Sequence, residues 1–326
     1  MKNAKILYII LIVTLLVGVG CAPVSTPKVE EVPVEEAPVE VKPVVYASIY
    51  PMYDFARKIG KDKIDLRLII PPGAEPHGWE PTAKMMMELE KADVLIYNGA
   101  QIEMWIDKVL GSLSNESLIV VEATKGIELL KYSEDDHDHE YEDKDKAKDA
   151  HGEYDPHVWL NPIKAIEQAN IIKDALIKAD EENKEFYENN FNEFAGKLTA
   201  LDIKFEESLK NRKRDQIVVA HGAFGYMAAR YGLQQISISG LSPQEEPSAA
   251  KLAELTKKIK EYGIRYIFFE TLTSPKLSEM LAIETGASTA VLNPIDGLTA
   301  EDMKAGKDYL SIMEENLDIL IKALGE

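Results

Sequence analysis

Residues 44–73 read VVYASIYPMYDFARKIGKDKIDLRLIIPPG, and the architecture of the chain follows from their pattern. It opens on a short apolar, β-branched run at 44–50. It then passes into PMYDFARKIGKD, which has helical spacing and Pro51 near its first turn. IDLRLII (64–70) follows, alternating as a strand until Pro71-Pro72-Gly73 stops it. A strand, a helix and a second strand in this order make a crossover unit, and crossovers build a mostly parallel sheet.

The alternation continues outward. Pro81 opens a helix in PTAKMMMELEKA; the strand DVLIYN (93–98), the helix QIEMWIDKVLGSL and the strand SLIVVE (117–122) come next. Beyond residue 211 the same logic returns. QIVVA (216–220), QQISIS (234–239), RYIFFE (265–270) and STAVLN (288–293) read as strands. GAFGYMAARYG, PSAAKLAELTKKIKEYG and SPKLSEMLAIETG read as the helices between them, and a last helix is expected from Ala300 to Leu324. Met85-Met86-Met87, Trp79, Trp105 and Trp159 are read as packing residues.

Two helical patterns lie between these halves, over 162–180 and 181–211. The second has no proline, one glycine (Gly196), and an apolar face of Phe186, Phe191, Phe194, Leu198, Leu201, Phe205 and Leu209. At 1.5 Å per residue it spans roughly 45 Å, more than one small domain. The expected fold is therefore α/β, with two Rossmann-like lobes of mostly parallel sheet joined by one long helix. The lobes are assigned to 44–180 and 212–326, with the linking helix at 181–211.

The chain has six histidines and one cysteine. Three histidines sit in separate polar loops: His77 in PPGAEPHGWEP, His157 in YDPHVWLNP and His221 in VVAHGAFGY. Imidazole is the commonest protein ligand for zinc and related ions. In open parallel sheets, ligands bind at the carboxyl ends of strands. His77 follows IDLRLII, His221 follows QIVVA, Glu270 ends RYIFF, and Asp296 lies three residues past STAVLN. The competing reading is that these histidines cap helices or satisfy loop carbonyls, and strand-end position alone does not separate the two. With one cysteine, an internal disulfide and a thiolate metal cluster are both excluded, so metal here would be held by nitrogen and oxygen.

The remaining segments frame the biology. Residues 1–21, MKNAKILYIILIVTLLVGVGC, carry Lys2 and Lys5 before an apolar run of 15 residues, Ile6–Gly20. That is short for a membrane span and long enough for a signal peptide. The run ends in Val-Gly-Cys and resembles a lipoprotein signal with Cys21 as the acylated residue; an uncleaved anchor is the alternative. Residues 22–43 repeat Pro, Val and Glu and read as a semi-extended tether. Residues 134–155 hold eleven acidic residues, three lysines and the other three histidines, His137, His139 and His151. This stretch is expected to be a loop, either simply solvated or collecting metal weakly. A net charge of −19 argues against charge-driven binding to nucleic acid or anionic lipid.

PPGAEPHGWEPT, YNGAQIEMW, DPHVWLNP, AHGAFGY, GLSPQEEPSAAKL, FFETLTSP and VLNPIDGLT together resemble the metal-binding proteins of zinc and manganese ABC importers, in order and over residues 44–326. The resemblance implies two lobes joined by a long helix with a metal in the cleft. It implies His77, His157, His221 and Asp296 as ligands, the last standing where zinc-binding members often carry Glu. Three imidazoles and a carboxylate suit tetrahedral zinc, whereas manganese prefers more oxygen; zinc is the expected cargo and manganese the alternative. The implied partners are an ABC permease and its ATPase, with membrane attachment through lipid on Cys21, and the protein is expected to act as an extracytoplasmic monomer. A surface adhesin or metal buffer would share the site. An enzyme is not expected, since a zinc hydrolase needs a placed general base and no HExxH occurs.

Overall fold

The β-branched residues at the start of the folded chain pair on both sides, as a strand buried on both faces should. In a computed structural model, which describes residues 41–132 and 153–325, strand β1 (Val44–Ala47) lies between β2 (Asp65–Leu68) and β3 (Val94–Tyr97). Strand β4 (Ile119–Glu122) completes a four-stranded sheet of order β2-β1-β3-β4. Val45 pairs with Leu66 on one side and Val94 on the other, and every pairing is parallel. A second sheet repeats the order as β6-β5-β7-β8, from β5 (Gln216–Val219), β6 (Gln234–Ser237), β7 (Tyr266–Phe269) and β8 (Ser288–Val291). It too is wholly parallel. In each sheet the winding reverses between the first and third strands, which opens a crevice at their carboxyl ends. The expected signal segment, nearly all of the tether, and His137, His139 and His151 lie outside the described residues.

Helices α1 (Tyr50–Gly60), α2 (Ala83–Leu89) and α3 (Ile106–Leu110) connect the first sheet. Helices α4 (Pro162–Ala179) and α5 (Lys184–Leu209) lead to the second, which α6 (Gly225–Tyr231), α7 (Ala249–Glu261) and α8 (Lys276–Thr285) connect. Helices α9 (Ala300–Lys304) and α10 (Tyr309–Gly325) close the chain. None of the described helices is long and apolar enough to cross a membrane.

Helix α5 has 26 residues, about 39 Å at 1.5 Å per residue. Phe194 on its first half meets Phe55 of α1 with ring centroids 5.4 Å apart; Phe205 on its second half stacks on Tyr231 of α6 at 4.9 Å. The apolar face read from sequence thus serves both lobes. The helix begins after a single 3-10 turn, Glu181–Asn183, fixed where Asp180 accepts hydrogen bonds from Asn183 and Tyr187.

Two expected helices are interrupted. The last breaks at Gly306, whose φ of 76° is left-handed, and restarts through reciprocal bonds between Asp308 and Ser311. The helix expected over QIEMWIDKVLGSL keeps only Ile106–Leu110, because Ala100 and Gln101 adopt φ of 51° and 69°. That turn sends Glu103 inward, where it accepts from Ser48 Oγ (2.5 Å) and from the N–H groups of Asn98 and Gly99 (2.8 and 3.0 Å).

The lobes are fastened together behind the crevice. Trp159, fully buried, donates its indole N–H to Pro294 O at 2.7 Å, while Tyr309 Oη donates to Trp159 O at 2.6 Å. Tyr50 N–H donates to Asp296 O at 3.3 Å and Tyr309 N–H to Asp54 at 3.2 Å. One apolar core runs from Val45 and Phe55 through Trp159 and Tyr309 to Ile217 and Leu292.

Candidate metal centre

Three loops bring the separate histidines to one point. His77 stands between β2 and α2 in a loop whose start is set by Gly73; its φ of 85° suits glycine, and its N–H donates to Leu298 O at 2.8 Å. His157 precedes a 3-10 turn, Val158–Leu160, and the Asn161 cap of α4, whose side chain accepts from the N–H groups of Ile163 and Lys164. His221 follows β5. The ring centroids of the three lie 5.4, 5.6 and 5.2 Å apart, and one nitrogen from each falls within 4.8 Å of the others. His157 and His221 are fully buried and His77 is half-buried, so the His77 side of the group lies nearest the surface.

Each buried histidine has a carboxylate behind it. Asp155 Oδ1 accepts from the His157 N–H at 2.9 Å and lies 2.8 Å from His157 Nδ1. Glu270 Oε1 accepts from the His221 N–H at 3.2 Å and lies 2.6 Å from His221 Nδ1. Both carboxylates favour the tautomer with the proton on Nδ1, which directs the Nε2 lone pairs inward. The two Nε2 atoms are 3.3 Å apart. His221 and Glu270 stand at the ends of β5 and β7, the strands on either side of the second winding reversal.

The equivalent crevice of the first sheet is filled by protein. Glu103 holds Asn98, Asn98 Nδ2 donates to Pro156 O at 3.0 Å, and Gln168 braces the Asn98 carbonyl at 2.8 Å. This buried network grips the residue just before His157. Burial pushes the Glu103 carboxyl up, opposed by the hydroxyl and amide bonds it accepts.

Asp296 follows β8, is 5 % exposed, and accepts from Gly297 N–H at 2.8 Å. Its carboxylate, a His77 nitrogen and a Glu75 oxygen also lie within 4.8 Å of one another, so the two groups share His77. Burial raises Asp296 to about 7, with His221 opposing and Glu270 and Glu75 adding to the rise. Burial raises Asp155 to about 7 as well. His157 is pulled well down by burial and then by His221. Burial also pulls His221 down, but Glu270, Asp296 and Glu75 outweigh it and raise this imidazole. The arrangement therefore offers imidazole nitrogen backed by negative charge, with no sulfur donor.

All four residues expected from sequence lie in this crevice. Asp155, Glu75 and Gln244 join the crevice from outside that expected set. Asp155 was legible in principle, since an Asp two residues before a fixed histidine has Asx-turn spacing. Glu75 accepts from His77 N–H at 3.0 Å and Gly78 N–H at 3.3 Å, and the Gln244 amide reaches it from the other lobe.

Comparison with known proteins adds three findings. The family model described as zinc-uptake complex component A, periplasmic, matches residues 45–323. The chain is 43% identical over 280 residues to the high-affinity zinc uptake system protein ZnuA of Bacillus subtilis strain 168, covering 86% of this chain and 87% of that one. It is 41% identical over 276 residues to the zinc-binding lipoprotein AdcA of Streptococcus pneumoniae serotype 4, covering 85% of this chain but only 54% of AdcA. The crystal structure of the Zn(II)-bound ZnuA-like domain of Streptococcus pneumoniae AdcA superposes with a TM-score of 0.74 at 38% identity, over 88% of this chain and all of that domain.

Proposed function

The chain belongs to the family of periplasmic zinc-uptake component A proteins, and on that premise we propose that it captures Zn(II) outside the cytoplasm and delivers it to an ABC permease. The ligands in this reading are His77, His157, His221 and Asp296. The observation that carries it is the convergence of three imidazoles, two of them held by carboxylates at Nδ1. That is the outer support metal-binding histidines use, and it preorganises the Nε2 lone pairs. Three nitrogens and one carboxylate make the closed four-donor set that zinc favours.

The cargo is released rather than transformed, so the protein acts as a binding component and not an enzyme. The partners are the permease and its ATPase. Lipid on Cys21 would tether a monomer to the membrane through the Pro/Glu/Val segment, as the lipoprotein relative's name suggests for that protein. Manganese is the second reading, favoured by one observation: Glu75 gives the crevice a second carboxylate beside His77 and Asp296.

Calorimetry on single His77→Ala, His157→Ala and His221→Ala variants tests the site. Each should weaken zinc by more than the roughly 100-fold that changes behind a ligand reach. Unchanged affinity in all three would remove the site from consideration.

A further inference from the structure

The four-donor reading leaves one carboxylate unused at the mouth of the crevice. Glu75 is two residues before His77 and half-buried, and one of its oxygens lies within 4.8 Å of a His77 nitrogen and an Asp296 oxygen. A metal bound at those two residues is within reach of it. Two carboxylates this close repel each other without a cation between them, so Glu75 needs donors of its own to remain there. It has three: the N–H groups of His77 and Gly78, and the side-chain amide of Gln244.

The third donor differs in kind. The backbone donors belong to Glu75's own loop and move with it. Gln244 comes from the loop between β6 and α7, 169 residues away in sequence, and crosses the crevice to donate to Oε2. Its orientation is not free. Ser242, 5 % exposed, donates its hydroxyl to Gln244 Oε1, and Gln244 N–H donates to Ser242 Oγ at 3.3 Å. With the carbonyl end taken by Ser242, the amide nitrogen is left to face Glu75. Gly78 lies flush against that nitrogen: a β-carbon there would stand 3.4 Å from it.

Resting on the zinc-capture reading, we propose that Gln244 sets the metal preference of the site by engaging Oε2 of Glu75, a carboxylate that already stands beside His77 and Asp296, and so keeping that oxygen from the metal. While Gln244 occupies Oε2, the metal meets three imidazoles and Asp296, the donor number and type suited to zinc. Freed from Gln244, Glu75 has Oε2 available beside His77 and Asp296 and adds a second carboxylate. Five or more donors with more oxygen suit a harder ion such as Mn(II). Gln244 contributes no ligand atom; it is a positioning residue acting through Glu75.

The test uses the full chain with Co(II) as the spectroscopic probe, and Zn(II) against Mn(II) in competition titrations. Four-coordinate Co(II) gives intense visible absorption, and five- or six-coordinate Co(II) gives weak absorption. The unaltered protein should give the intense bands. Gln244→Ala, at an exposed position where folding is not at stake, should lose that intensity and lower the zinc-over-manganese preference by about tenfold or more. Adding Glu75→Gln to Gln244→Ala should restore both, because the released carboxylate is gone. A Gln244→Ala protein with the original spectrum and preference overturns the proposal, as does a double variant that stays altered. Failure of the unaltered protein to bind Co(II) or Zn(II) at all would instead overturn the zinc-capture reading on which the proposal rests.

Discussion

At the scale of single residues, the crevice is a place where protons and metal compete. Asp296 and Asp155 are both raised by burial to about 7, and Glu270 and its neighbours raise His221. In the proposed site, a bound metal would require Asp296 as the anion and a free lone pair on each ligating imidazole nitrogen. Protons held in the metal-free state must therefore leave on binding. Above about pH 7 the Asp296 carboxyl is already ionised and drops out of the balance; below it, each proton displaced weakens binding about tenfold per pH unit. Zinc affinity measured by competition with a chelator should thus fall steeply from about pH 7 toward about pH 6, and change less from about pH 8 to about pH 7. A flat profile across that range would contradict the protonation assigned to these groups.

What the sequence revealed at this scale divides along physical lines. His77, His157, His221 and Asp296 stood out as candidates because each follows a recognisable strand or opens a proline-marked turn, and the structure gathers them in one crevice. Glu270 was legible as a strand-end residue but not as the partner of His221, which depends on β5 and β7 being neighbours. The contact between Gln244 and Glu75 left no local mark at all. It joins two loops from different lobes, and nothing in the spacing of either loop anticipates the other.

At the scale of elements, helix α5 bears on both lobes while carrying one residue poorly suited to it. Gly196 lies mid-helix and exposed, and a β-carbon there would meet nothing within 4 Å. Glycine costs a helix interior about 1 kcal/mol relative to alanine. Gly196→Ala should therefore raise the thermal midpoint by about 2 °C and leave zinc affinity unchanged, read by calorimetric melting and by titration. A drop in the midpoint would mean that glycine is needed for a bend. Periodicity and the lack of proline made this helix readable. The break between α9 and α10 was harder, because Gly306 sits inside an otherwise continuous apolar stripe. The signal was the Asp308-x-x-Ser311 pair, which restarts the helix by capping it. The turn at Ala100 and Gln101 had no such signal, since neither residue ordinarily adopts a left-handed backbone.

At the scale of the whole molecule, the fastening behind the crevice restricts how the lobes can move. Trp159 links the His157 loop to the carbonyl of Pro294, two residues before Asp296, and Tyr309 locks Trp159 in turn. A continuous helix and a shared core leave no loop hinge to absorb a large rotation. Metal exchange should proceed by movement of the His77 side and small tilts. Scattering from metal-free and zinc-loaded protein should agree in radius of gyration to within about 1 Å. Hydrogen exchange should slow chiefly around 71–80, 155–161, 221–225 and 293–298. A change of several ångströms traced to the lobes would contradict the rigid picture.

The two sheets also have a consequence in time. Every pairing within the two sheets is parallel, and successive strands are joined by crossovers rather than hairpins. No pair of strands can close locally, so neither sheet has an early, self-sufficient nucleus. Folding that waits on distant segments is slow. A chain made inside the cell and used outside it must stay threadable until it has crossed, and for the exported protein proposed here slowness is protective. The topology that builds a crevice for a metal also delays the moment at which that crevice exists.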